Sequence, residues 1–195
     1  MIASAFPKAP KAVLDDDLEL TEHGRSVALL AIKLADAIGF DREAQREIGL
    51  AGALHDVGKR EIDPEILEKC GPLDDEDWEQ IHRHPEIGER ILRNVGLTGI
   101  ARWVRWHHER PDGAGYPDGL HGDEIPLEAA ILAVADAFDA MLCNRCYGRQ
   151  LNESEALAEL WRCSGTQFDP VVVAAALRCG LHVSDGADAR VPSLS

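Results

Sequence analysis

Apolar residues recur at three- and four-residue steps through most of the chain, the spacing that lines one face of an α-helix. From Thr21 to Ile38 they are Val27, Leu30, Ala31, Leu34, Ala35 and Ile38, and Gly39 follows as a C-cap. The spacing predicts a second helix from Asp41 to Val57, stopped at Gly58. Asp63-Pro64 offers an N-cap and a first-turn proline for a short third. Asp74 caps a fourth, which Pro85 must restart or kink because proline has no backbone donor. Further helices are expected from Thr98 to His108, from Pro126 to Leu142, after the capping-box pair Asn152 and Glu155, and from Asp169-Pro170 to near Gly180. No run of alternating apolar residues marks a sheet, so the expected fold is an all-α, single-domain helical bundle.

One stretch breaks the helical pattern. Glu109 to Pro126, ERPDGAGYPDGLHGDEIP, holds four glycines and three prolines and reads as a long, shaped loop. A long loop inside a small domain is usually functional. The pattern divides the chain into a flexible N-terminal segment (1–17), a folded domain (18–180) and a disordered tail (181–195).

Composition narrows the function. Twenty basic against 35 acidic residues leave a net charge of −15, which disfavours polymeric nucleic acid and anionic membrane surfaces as partners. No apolar run is long enough to cross a bilayer, and the first residues carry no export signal, so the cytoplasm is the expected location. The five cysteines are odd in number and scattered, as reduced thiols are; Cys143 and Cys146 form a CxxC without the further ligands that zinc requires.

Histidine carries more. His23, His55, His84 and the pair His107-His108 each stand on the apolar side of a predicted helix or at its end. One inward histidine is more often a hydrogen-bonded core residue than a ligand. Five buried together each cost desolvation, which a metal cluster offsets by holding neutral ring nitrogens. Asp56 adjoins His55, and Asp136 interrupts the apolar helix ILAVADAF on the face of Leu132, Ala133 and Ala140, where a carboxylate needs a cation. Glu19, four residues before His23, is a further candidate ligand or else a solvated charge in an acidic run. Mixed imidazole and carboxylate donors favour Fe or Mn, and up to eight ligands imply two ions or three. Such pairs suit in-line phosphoryl transfer. Lys59, three after Asp56, is placed for a non-bridging phosphate oxygen, the alternative being a surface lysine at a helix end. Six arginines against three glutamates between Arg83 and Arg110 suggest a local positive island for an anionic substrate.

With these residues in hand, the chain resembles the HD-GYP domain, the cyclic-di-GMP phosphodiesterase branch of the HD hydrolases. The resemblance rests on HDVGK (His55 to Lys59), HPEIGERIL (His84 to Leu92), HHERPDGAGYPDGL (His107 to Leu120) and VADAFDAM (Val134 to Met141), and spans roughly Leu18 to Leu177. It implies an all-α bundle of the HD hydrolase type, with His23, His55, Asp56, His84, His107, His108 and Asp136 as metal ligands and Glu19 as the extra ligand of three-metal members. The implied reaction is attack of a metal-bridging hydroxide on cyclic-di-GMP, giving 5′-pGpG and sometimes GMP. By the same resemblance Asp56 and Lys59 act in catalysis. Lys59, Arg145, Tyr116 and Arg149 meet substrate, Arg149 replacing a basic residue expected where Gly148 stands. Tyr116 would stack on guanine, face a partner or simply pack the loop; GGDEF-type diguanylate cyclases are the implied partners of Gly115-Tyr116-Pro117. Two other functions stay open: an HD hydrolase of another nucleotide, which would not need His84 or His107-His108, and a non-catalytic module that binds the dinucleotide or a cyclase.

Overall fold

Helices begin and end in this chain where side chains satisfy backbone groups that the helix leaves unpaired. The computed structural model describes residues 21–69, 71–143 and 150–182. Helix α1 (Glu22–Ile38) starts on the Thr21 hydroxyl, which accepts from the Gly24 amide, and ends on Gly39 in the left-handed region at φ 106°. Asp41 caps α2 (Arg42–Leu54) through the amides of Glu43 and Ala44. A 3-10 turn (Val57–Glu61) and the short α3 (Pro64–Leu67) follow. Asp74 and Asp77 form the capping box of α4 (Asp75–Ile81), and then come α5 (His84–Asn94) and α6 (Thr98–Trp106). After the long loop, with its single 3-10 turn (Gly122–Glu124), run α7 (Leu127–Leu142), α8 (Glu153–Arg162) and α9 (Pro170–Cys179). The expected capping box at Asn152 and Glu155 is present, as is the left-handed Gly180 behind α9. Among the described residues there are no strands, only two isolated bridges.

Two boundaries differ from the periodicity. Helix α2 stops at Leu54 rather than Val57, because the His55 ring turns back to the Gly52 carbonyl (2.8 Å) and the chain tightens into the 3-10 turn. The helix begun by Asp74 is not kinked at Pro85 but divided: α4 ends at Ile81, and the proline, having no N–H to give, lies in the first turn of α5. The proposed flexible start and disordered tail lie outside the described residues, apart from Leu181 and His182.

Helix α1 packs against α2, α7 and α9; α6 rests on α2 and α7, and α5 lies on α6 and the 3-10 turn. Leu30, Leu34, Ile48, Ile131, Leu132 and Phe138 are buried where these helices meet. Each such side chain contributes about 1.5–3 kcal/mol relative to an exposed one. The α1–α2 contact is close because it is made of small residues: a Cβ on Gly52 would stand 3.2 Å from the Ala28 Cα. That approach brings the start of α1 beside the end of α2. No helix among the described residues is long and apolar enough to cross a membrane.

Candidate metal centre

Helix ends converge on one point of the bundle. His23 lies in the first turn of α1, His55 and Asp56 follow α2, His84 opens α5, His107 and His108 follow α6, and Asp136 stands midway along α7. One local device aims three of the rings. His55, His84 and His107 each place Nδ1 on the carbonyl oxygen three residues earlier, Gly52 at 2.8 Å, Ile81 at 2.7 Å and Val104 at 2.6 Å. These carbonyls lie in or at the last turns of helices, where the helical ladder supplies no donor. A ring held at Nδ1 turns Nε2 toward the centre, where a bound cation would take its lone pair. His23 uses a carboxylate instead: its Nδ1 meets Asp139 Oδ2 at 2.6 Å.

The free donor atoms fall into two groups that share Asp56. In one, His23 Nε2 and His55 Nε2 lie 3.0 and 3.7 Å from Asp136 Oδ1 and 4.0 and 3.3 Å from Asp56 Oδ2. In the other, His84 Nε2 lies 3.4 Å from the second Asp56 oxygen, Oδ1, and 3.5 Å from His107 Nε2. The ligand atoms of His84, His107 and His108 lie within 4.8 Å of one another, as do those of His23, His55 and Asp56. Donors about 2.1 Å from a common ion are separated by about 3–4 Å, so the spacing suits two cations with the Asp56 carboxylate between them. His55 Nε2 and Asp56 Oδ1 are buried without a hydrogen-bond partner, an arrangement that costs free energy unless a ligand fills it. The residues present therefore fit bound metal.

Electrostatics divides the groups in the same way. Burial pushes His84 down to about 4 and His108 down to about 3, and holds His107 well below its ordinary value, so all three are neutral donors at pH 7. Burial also opposes charge on His23 and His55, but carboxylates outweigh it: Asp136 and Asp139 lift His23 to about 9, and Asp56 raises His55. Burial would push both aspartates up, yet His55, Lys59 and His84 keep Asp56 well below the carboxylate range, and His23 and His55 do the same for Asp136. Lys59 Nζ donates to Asp56 Oδ2 at 2.6 Å.

The long loop roofs this centre. Tyr116 stacks on His108 (ring centroids 4.8 Å apart, 28° between planes) and on His82 (4.1 Å, 27°), with Trp78 tilted against His82 beyond. The phenol is pushed up by burial. Of the roles considered for Tyr116, these contacts display loop packing against a candidate ligand. Glu109, only 3 % exposed, accepts from the backbone amides of Asp118 (2.7 Å), Gly119 (3.1 Å) and Leu120 (3.0 Å). Arg105 and the Trp106 indole N–H donate to Asp118, and the guanidinium holds that carboxyl down to about 2. Replacing Glu109 by Ala leaves three loop amides without their acceptor. The expected cost is about 2–3 kcal/mol, with faster proteolysis between residues 109 and 126; thermal melts and limited digestion check it.

Some expectations change. Four of the six arginines of the island are paired, Arg90 with Glu61, Arg93 with Glu89, Arg105 with Glu86, Glu89 and Asp118, and Arg110 with Asp112, which leaves Arg83 and Arg102 without an ion pair among the described residues. Carboxylates that are distant in sequence, or just beyond Arg110, neutralise part of it in space. Glu19, Arg145 and Arg149 lie outside the described residues, as do Cys70 and Cys146 of the thiols. Sequence reasoning missed Asp139, Glu109 and His82. Asp139, 3 % exposed, was signalled by its position three after Asp136 on an apolar face; Glu109 and His82 carried no periodic signal.

The architecture and these side chains define an all-helical domain whose gathered histidines and aspartates could hold metal. The chain belongs to the HD domain family, whose description matches residues 9–172. It is 44% identical over 148 residues to the cyclic di-GMP phosphodiesterase response regulator RpfG of Xanthomonas campestris pv. campestris, a match covering 74% of this chain and 39% of that protein. It is 37% identical over 158 residues to the 3′3′-cGAMP-specific phosphodiesterase 2 of Vibrio cholerae, covering 80% of this chain and 30% of the relative. The chain thus spans well under half the length of either relative. Among solved structures, Bd1817, a HDG"Y"P protein from Bdellovibrio bacteriovorus, shares the fold at a TM-score of 0.65 and 20% identity, over 89% of this chain and 57% of that one.

Proposed function

We propose that the chain is a metal-dependent phosphodiesterase that opens cyclic-di-GMP to 5′-pGpG, with GMP as a further product. The observation that carries this reading is the Asp56 carboxylate, with one oxygen toward His55 and the other toward His84, at the join of two ligand groups. In this reading His23, His55, Asp56 and Asp136 hold one ion and His84, His107, His108 and Asp56 the other. Glu19 would be the further ligand of a three-ion centre. The mixed donors favour Fe or Mn. Bound divalent ions supply an activated water and neutralise charge on the phosphate oxygens.

The chain's own residues do the rest. Lys59 Nζ, already at Asp56, turns to a non-bridging phosphate oxygen when substrate enters. Asp139 holds His23 in the tautomer that faces inward, and the helix-end carbonyls do so for His55, His84 and His107. Water gives its oxygen to the new P–O bond as the bond from phosphorus to the 3′ oxygen breaks, and the 3′ oxygen leaves with the proton that the water gives up. Arg145 and Arg149 belong to the substrate contacts of this reading, and Gly115-Tyr116-Pro117 is the docking edge for a GGDEF-type cyclase. The scattered, odd cysteine count supports action in the reducing cytoplasm.

The names of both relatives support a cyclic dinucleotide as substrate. Protein loaded anaerobically with Fe(II) or Mn(II) is expected to convert cyclic-di-GMP to pGpG, read by chromatography. Binding without any product would instead favour the non-catalytic module.

A further inference from the structure

A cavity of about 370 Å³ is lined by His107, His108, Asp136 and Tyr116 together with Gln167 and Phe168 of the turn between α8 and α9. It is of the size that takes a small ligand. The walls are unequal in what they can still offer. The carboxylate of Glu109 is occupied by three loop amides, and Arg110 by Asp112. His82 and Tyr116 stack on one another, their ring nitrogens and hydroxyl having no hydrogen-bond partner among the described residues, and the imidazoles of His107 and His108 belong to a ligand group. Gln167 is different. Its backbone is fixed by the bond from its amide to the Cys163 carbonyl (3.0 Å), and the turn is tied to the loop by the bond from Asp112 N to Thr166 O (3.1 Å). Gln167 is exposed to solvent, and its side-chain amide, which lines the same cavity as His107 and His108, has no hydrogen-bond partner among the described residues. A carboxamide carried on this backbone offers one donor and one acceptor side by side, the complement of a purine edge.

We infer that Gln167 is a specificity-determining residue, hydrogen-bonding the edge of the purine that enters this cavity when a cyclic dinucleotide lies across the ligand groups. The inference rests on the dinucleotide reading above. An amide pairs with guanine, which presents O6 and N1–H, and also with adenine, which presents N1 and N6–H. It therefore admits both bases. A carboxylate does not: it accepts from guanine N1–H and N2–H together but faces the adenine N1 lone pair.

The test compares wild type, Gln167→Glu and Gln167→Ala, each metal-loaded, by the dissociation constants of hydrolysis-resistant phosphorothioate forms of cyclic-di-GMP and 3′,3′-cyclic GMP-AMP. Metal content and melting temperature confirm that each variant is folded and loaded. The expected results are a shift of the affinity ratio toward cyclic-di-GMP of about fivefold or more in Gln167→Glu, and a loss of about fivefold for both ligands in Gln167→Ala, one hydrogen bond's worth. An unchanged ratio overturns the inference. Should wild type bind the analogues yet leave the natural dinucleotides intact, the hydrolase reading fails while the ratio still decides the role of Gln167. No binding of either ligand by wild type overturns both.

Discussion

Asp56→Asn lowers turnover of cyclic-di-GMP by about a thousandfold, equivalent to about 4 kcal/mol of transition-state stabilisation. The substitution keeps the size of the side chain and leaves the α2 end in place. It removes the one charge that both ligand groups share: Asp56 meets His55 and Lys59 through Oδ2 and His84 through Oδ1. A carboxamide has a single acceptor oxygen and an NH₂ that repels a cation. Metal content should therefore fall along with turnover while the helical signal in circular dichroism is retained. Full activity in Asp56→Asn would remove the shared carboxylate from the account.

Gly58→Ala acts through the fold rather than the chemistry. Gly58 lies in the 3-10 turn after Asp56, pressed on the backbone at the start of α5: an added Cβ would stand 1.9 Å from the His84 carbonyl oxygen and 2.7 Å from the Gly88 amide nitrogen. Both are main-chain atoms of a helix and cannot swing aside, so the turn and α5 must separate. The cost is about 3 kcal/mol, at the top of the usual overpacking range. For a domain of this size that lowers the melting temperature by about 6–12 °C. Because His55-Asp56 and His84 sit on the two sides of this contact, the same separation pulls the ligand groups apart, and metal affinity falls too. Gly99→Ala is the control. Gly99 lies inside α6 with nothing within 4 Å of an added Cβ, and alanine there should stabilise by about 0.5–1 kcal/mol.

How much of this was legible beforehand follows from how local each signal is. Caps are made by neighbours in sequence, so Asp74, Asn152, Asp169, Gly39 and Gly180 were readable as helix ends, and Thr21 and Asp41, expected as first helical residues, are N-caps in the structure. The histidines were readable because each interrupts or ends an apolar face, and His55, His84 and His107 are each 1 % exposed. What failed was whatever depends on spatial neighbours. A charge count over residues 83–110 could not register Glu61 and Asp118 crossing to Arg90 and Arg105. The end of α2 at Leu54 depends on a ring folding back on Gly52, which no propensity encodes. Glu109 read as one acid in a polar loop, although its carboxylate organises that loop from within.

Anomalous scattering at the Fe or Mn edge, from crystals of protein loaded with that metal, locates the cations directly. At least two peaks are expected, one within bonding reach of His23, His55, Asp56 and Asp136 and another within reach of His84, His107, His108 and the second Asp56 oxygen. A map in which these donors enclose no peak, with the metal absent or scattered over surface carboxylates, would contradict the account.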